Sequence, residues 1–378
     1  MRRMMVAMVA GAALLAGAAQ AQVKVGILNS LSGGGASIGV PYAKGYAAFQ
    51  AGLAETTGPK PVFITIDDAS DPAAAARAAK KLIEEDKVDV IVGSATTPAT
   101  LAAYGVALEA KVPMIVASNT LIPGERGAWS ITIPQPVPLM VSADLVQMKA
   151  AGVKTIAYIG FADGWGDLVY DSLAKAVEPA GIKIVANERY ARTDTSVTPQ
   201  VLKIMALRPD AVFTGGAGSP AALPHLALFE RGYRGNVYST HGIINSEFVR
   251  IGGASVEGMI APTGPVVVAE QLPDSNPIKA AALRFRALYE QANKEKSNDA
   301  FAPYAYDALV VLADALTRAK GTPGTPEYRL SLRDAIVSTH EVVGAHAVYS
   351  FKPGERYGTD ERSRVLVRLE KGAWKLVP

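Results

Sequence analysis

Hydrophobic and polar positions along this chain alternate in blocks rather than residue by residue. Short runs of β-branched and aliphatic residues (Val23–Leu28, Val62–Ile66, Val88–Val92 and Met114–Val116) are each followed by a segment of helical character: Pro41–Ala54, Pro72–Glu85, Pro98–Ala110 and Pro138–Ala150. The cycle restarts with strands at Thr155–Ile159, Ile182–Val185, Ala211–Thr214 and Val237–Ser239, and helices at Leu168–Ala180, Pro199–Leu207 and Pro220–Arg231. Strands alternating with helices of about 10–15 residues predict βαβ units on a parallel sheet. Strands apolar throughout are expected where helices cover both faces.

Six helix starts share one local signature: Asp71-Pro72, Thr97-Pro98, Thr198-Pro199, Ser219-Pro220, Asn276-Pro277 and Thr325-Pro326. A capping side chain followed by proline at the first helical position satisfies one orphan N–H and needs no other. The series breaks at Ile131–Pro138, where prolines punctuate a crossing between two α/β halves, and again near Ala261–Gly264. Two long helices, Pro277–Ala292 and Pro303–Ala319, and two terminal strands, Val348–Phe351 and Val365–Leu369, complete the pattern. Two halves with several crossings imply lobes assembled from discontinuous segments, with a cleft between them as the default ligand site.

The first 21 residues read as an export signal: Arg2-Arg3, an uncharged apolar run from Met4 to Ala18, then Ala19-Gln20-Ala21 before a mature start at Gln22. The apolar run is short for a membrane span. The remaining 378 − 21 = 357 residues suffice for two domains. The chain has no cysteine, which excludes disulfides, thiolate catalysis and a lipidated N-terminal cysteine. The net charge is only +3 and basic residues are interspersed with acids, so nucleic acid is not expected as a partner.

Catalytic and cofactor motifs fall short. The loop Ser32–Gly39 lacks G-x-G-x-x-G spacing because Ile38 stands where the last glycine belongs. A loop whose backbone N–H groups approach a small ligand suits it better. Ser172-Leu173-Ala174-Lys175 matches S-x-x-K inside a helix without partner motifs, and the Asp67-Asp68 pair reads as a strand end running into the Asp71 cap. His225, His241, His340 and His346 have no metal-ligand spacing. No enzyme, metal or cofactor is expected. Two loops stand out: Gly93-Ser94-Ala95-Thr96-Thr97 and Ala117-Ser118-Asn119-Thr120. Both follow adjacent strands at carboxyl ends, where hydroxyls, free N–H groups and a helix N-terminus make an anion site.

An ordered set of segments (Val23–Leu28, Leu31-Ser32-Gly33, Asp67–Pro72, Ile91–Ser94 and Val112–Ile115) resembles the leucine/isoleucine/valine-binding protein family of ABC importers, the type I periplasmic binding proteins. The resemblance covers essentially the whole mature chain. It implies two Rossmann-like lobes with parallel sheets, joined by three hinge crossings: residues 22–138 with 266–347, and 139–265 with 348–378. It places Thr97, Ser118 and Thr120 on the ligand carboxylate, with Ser94 and Asn119 in the same loops, Trp165 as a cleft aromatic, and Phe301 and Tyr304 in the opposing aromatic segment. Amino-acid binders of the family carry an acid for the ligand ammonium where this chain has His241, a tyrosine where it has Ala217, and an aromatic where it has Ile38. An ammonium desolvated without a carboxylate costs several kcal/mol, whereas a histidine donates to a carboxylate or hydroxyl. The expectation is a monomeric periplasmic solute-binding protein that captures a small organic acid, an aromatic carboxylate, and delivers it to a membrane permease and its ATPase. The alternatives are an amino-acid ligand, a ligand-sensing subunit and an exported enzyme.

Overall fold

The computed structural model describes residues 22–54 and 60–377, so the predicted export signal lies outside the described residues. Five strands form the first sheet: β1 (Lys24–Asn29), β2 (Val62–Asp67), β3 (Val90–Gly93), β4 (Met114–Val116) and β5 (Ser130–Thr132). They lie in the order β2-β1-β3-β4-β5, with every pair parallel. The helices of this lobe are α1 (Ala36–Ala54), α2 (Pro72–Glu84) and α3 (Thr97–Glu109). The central strands β3 and β4 are buried along their whole length, as expected for a sheet covered on both faces.

The second sheet has the order β7-β6-β8-β9, again all parallel. Its strands are β6 (Thr155–Phe161), β7 (Lys183–Tyr190), β8 (Ala211–Gly215) and β9 (Asn236–Ser239). It carries α4 (Val137–Ala150), α5 (Gly164–Val177), α6 (Thr198–Ala206), α7 (Ala222–Glu230) and α8 (Ser246–Gly252). The chain continues through β10 (Ile260–Thr263), α9 (Lys279–Asn293), α10 (Phe301–Arg318) and α11 (Pro326–Val337). It closes with the hairpin β11 (Val342–Val343) and β12 (Val348–Tyr349), then β13 (Val365–Glu370) and β14 (Ala373–Leu376). Strands β10, β13 and β14 form a small antiparallel sheet, and α9 and α10 return to pack on α1. The chain therefore passes between the lobes after β5, after β10 and between Tyr357 and β13.

In each large sheet the direction of winding reverses, between β1 and β3 in the first and between β6 and β8 in the second. Ligands of open α/β sheets sit beyond the carboxyl ends at such points. The two sets of carboxyl-end loops face each other across one cleft.

Three expectations need correction. Segment Ile131-Thr132 belongs to β5, which the following prolines disguised. Two of the six predicted cap positions behave as written: Asp71 accepts from the Ala74 N–H at 2.6 Å and Thr325 from Tyr328 at 3.2 Å. Asn276 accepts from Ile278 at 2.9 Å in a turn before α9, which starts only at Lys279. Thr97 and Thr198 instead open their helices one residue inside the cap, and Ser219 starts a 3-10 turn.

The third correction concerns the glycine loop. Helix α1 begins at Ala36, not Pro41, and runs through the proline. Pro41 has no N–H for the Ser37 carbonyl, and Asn245 of the opposite lobe donates to that oxygen at 2.7 Å. The glycines serve packing more than ligand approach. Gly33 has φ +76°, and a Cβ there would stand 2.3 Å from the Ala69 carbonyl oxygen; one on Gly39 would stand 1.9 Å from that of Ser30.

Gly45 lets α1 lie directly on α10: an added Cβ would meet the Ala302 carbonyl oxygen at 2.0 Å. That approach sets the distance between Tyr42 and Phe301, whose ring centres are 6.3 Å apart. Gly45→Ala is expected to lower unfolding free energy in urea by about 1–3 kcal/mol, the cost of overpacking a tight contact; an unchanged midpoint would show that the helices separate freely.

Candidate functional site

A pocket lies in the cleft between the two lobes. The first lobe contributes Tyr42 from α1, Thr96 and Thr97 at the start of α3, and Ser118 and Asn119 after β4. The second contributes Trp165 at the start of α5, Arg192 after β7, Ala217 after β8 and His241 after β9. Phe301 and Tyr304, on the first turn of α10, close one side.

Seven of the nine residues singled out in the sequence line this cavity: Thr97, Ser118, Asn119, Trp165, His241, Phe301 and Tyr304. Ser94 and Thr120 do not. Ser94 is fully buried and bonds Asp68, whose other oxygen accepts from Ser30 at 2.7 Å. That network ties the ends of β1, β2 and β3 together and accounts for Asp68; Asp67 accepts from the Leu31 and Ala69 N–H groups. Thr120 lies behind Ser118, with the two hydroxyl oxygens 2.8 Å apart, and Ser118 is also 2.8 Å from Thr100. Sequence position marks the loop, but the twist of each turn decides which hydroxyl faces the cleft.

Arg192 and Tyr42 were missed, and Thr96 was named only as part of its loop. Arg192 follows an edge strand in a polar stretch with no periodicity to mark it. Its Nε donates to Asp163 at 2.6 Å, and its guanidinium lies 4.2 Å from the centre of the Phe161 ring. The other Asp163 oxygen caps α5, accepting from the N–H groups of Trp165 at 2.9 Å and Gly166 at 3.2 Å. One carboxylate therefore fixes both Arg192 and the helix turn that carries Trp165, and it does not itself line the cavity. None of the lining residues is an aspartate or glutamate.

Hydrogen bonding fixes the state of His241. The Asn119 Nδ2 group donates to the Gln135 carbonyl, and its Oδ1 accepts from Tyr357 at 2.8 Å, which sets the amide orientation. The same Nδ2 lies 3.3 Å from His241 Nε2, so Nε2 is the acceptor and Nδ1 carries the proton. Burial, aided by His346, pushes the imidazole down to about 3, so the ring is neutral. His241 Nδ1, Trp165 Nε1 and Thr96 Oγ1 are all buried in the cavity wall without a partner in the protein. A buried donor left unpaired costs about 1–3 kcal/mol. The wall thus presents a cation, two neutral N–H donors and hydroxyls around an aromatic interior, and the ring centres of Trp165 and His241 are 6.1 Å apart.

The family model for periplasmic binding proteins matches residues 22–360, and the chain belongs to that family. Several of its relatives are named Leu/Ile/Val-binding proteins. Leu/Ile/Val-binding protein homolog 3 of Brucella melitensis is 25% identical over 328 residues, 84% of this chain and 85% of its own. An extracellular ligand-binding receptor from Rhodopseudomonas palustris HaA2 superposes with a TM-score of 0.88 at 40% identity, over 94% of this chain and 100% of that one. A leucine-binding protein from Thermotoga maritima shares the fold, with a TM-score of 0.78 at 23% identity over 94% and 98% of the two chains.

Buried histidines make stability depend on pH. His225 and His241 are pushed down to about 3 and His346 to about 4, each by burial. Unfolded, they take protons below about 6.5, so their contribution is present above pH 6.5 and lost as pH falls toward 4. Asp307, raised by burial to about 7, acts oppositely: its contribution is present at acid pH and lost as pH rises from about 4 to 7. Urea unfolding of His241→Gln between pH 6.5 and 4.5 should show a slope shallower by about 1.4 kcal/mol per pH unit, one proton's worth. An identical slope would mean that His241 titrates normally in the folded chain.

Proposed function

We propose that this protein is the periplasmic solute-binding component of an ABC importer, and that its cleft takes a small organic acid, an aromatic carboxylate. The observation that carries the ligand class is the charge balance of the wall: Arg192 lines the cavity and no acid does. A carboxylate there gains a charge-assisted partner in Arg192 and hydroxyls at the N-terminus of α3. Tyr42, Phe301 and Trp165 offer ring surface to an aromatic body. The neutral His241 Nδ1–H suits a second acceptor on the ligand. We place one lobe at residues 22–138 with 266–357 and the other at 139–265 with 365–377, the last boundary set later than the expected 347/348 because Tyr357 bridges to Thr132 of β5. Closure of the two on the ligand presents the surface a permease reads, and ligand free energy shifts the open–closed equilibrium. We take the working form to be a monomer.

An amino acid is the second reading, favoured by the names of relatives such as the Brucella protein. Its ammonium finds no carboxylate among the residues lining the cavity.

A thermal-shift panel with benzoate, 4-hydroxybenzoate, benzamide, leucine and valine separates the readings. The acids are expected to raise Tm and the uncharged amide to leave it unchanged; ligand at 1,000 times its Kd stabilises by about 4 kcal/mol. A shift with leucine and none with the acids would reverse the assignment.

For an acid that binds, Arg192→Gln should weaken affinity about 10–100-fold, the loss of a hydrogen bond to a charged group. Trp165→Ala should cost about 1–1.5 kcal/mol beyond lost contact area. Calorimetric affinities equal to wild type would remove these residues from the site.

A further inference from the structure

Gln135 lies between two prolines where the chain first crosses from β5 to α4, and it is fully buried. It does not line the cavity. Its hydrogen-bonding groups reach in three directions. The backbone carbonyl accepts from Asn119 Nδ2, the donor that also meets His241. Side-chain Oε1 accepts from the Tyr304 hydroxyl at 2.5 Å. Side-chain Nε2 donates to the Ser363 carbonyl at 2.9 Å, on the third crossing. The second crossing passes within contact distance: a Cβ on Gly264 would stand 2.8 Å from Gln135 Nε2 and 1.6 Å from His346 Nδ1. His346 in turn stacks on Tyr304, with ring centres 4.3 Å apart and planes 21° apart.

We propose that Gln135 is a positioning residue for the ligand site: its side-chain amide, anchored to the third crossing, holds Tyr304, and its backbone carbonyl, fixed in place by that anchor, holds Asn119 against His241 in the geometry that lines the cleft. The proposal rests on the cleft being the ligand site, and not on the ligand being an aromatic acid. An amide suits the position because one atom must accept and the other must donate. Leucine has similar size and does neither, so in Gln135→Leu the buried Tyr304 hydroxyl and the Ser363 carbonyl both lose a partner. A protonated glutamic acid does both jobs; an ionised glutamate only accepts and faces the Ser363 carbonyl with a negative charge.

Histidine-selective ¹⁵N and ¹³C NMR of the full chain reads this network without a ligand. The His241 signals report which ring nitrogen carries the proton, and the His346 ring signals report the stacked Tyr304. Substituting His241 and His346 singly with Gln assigns them. In Gln135→Leu the His346 signals should move away from their wild-type positions, and the His241 pattern should become a mixture of tautomers. Gln135→Glu should resemble wild type at pH 6 and Gln135→Leu at pH 9. Wild type measured at both pH values supplies the reference, because Asp307, which accepts from the His346 N–H at 2.8 Å, is raised by burial to about 7.

In calorimetry, using whichever of 4-hydroxybenzoate and leucine stabilises wild type, Gln135→Leu should bind about tenfold more weakly. Wild-type histidine signals in Gln135→Leu, or moved signals with unchanged affinity, would overturn the proposal. If neither compound binds wild type, the ligand reading fails while the histidine signals still decide the role of Gln135. If the leucine variant does not fold, the glutamate variant at the two pH values decides it.

Discussion

A parallel sheet stops making hydrogen bonds where its strands end, and whatever polar groups remain there must find partners elsewhere. The rest of this structure follows from that constraint. At the carboxyl ends of β1 and β3 the leftover groups are mostly consumed internally, by Asp68 with Ser30 and Ser94. At the ends of β4 and β9 the pairing is incomplete. Asn119 and His241 satisfy each other across the lobes, yet one ring nitrogen of His241 stays bare. The cleft is the place where the two lobes' unfinished hydrogen bonding meets, and its contents set what it can hold.

The cleft separates the roles of charge and hydrogen bonding. Charge resides in Arg192, held by Asp163 at the rim of the second lobe. At the end nearest the crossings the donors are neutral, because burial keeps His241 from protonating. A binding protein built this way discriminates by placement of donors more than by net attraction. That is consistent with a wall that sets hydroxyl, amide and imidazole groups among four aromatic rings, Tyr42, Trp165, Phe301 and Tyr304.

Much of the fold was legible because apolar runs and N-cap–proline pairs survive as local signals. Both parallel sheets follow from the strand–helix alternation, and Thr97, Ser118 and Asn119 line the cleft from loops after strands, whereas Trp165, His241, Phe301 and Tyr304 were placed by the family resemblance. The rest failed for physical reasons. Strand β5 is three residues long and is followed closely by prolines. The start of α1 was hidden because Pro41 normally marks an end or a first turn. Arg192 carries no pattern, since its place depends on Asp163 and Phe161, which are distant in sequence. Thr120 and Ser94 share loops with true cavity residues and differ from them only in the direction the side chain takes.

Pro41 also bears on the lobe closure proposed above. By denying Ser37 its helical partner, the proline leaves a carbonyl oxygen at the mouth of the cleft that Asn245 reaches when the lobes meet. When they part, water can take the same oxygen at little cost. On the closure proposed above, that oxygen exchanges one hydrogen-bond partner for another, and the occupant of the cleft sets the direction of motion. With an N–H at position 41 the Ser37 carbonyl would be satisfied within the helix, and the opposite lobe would have one fewer acceptor to reach.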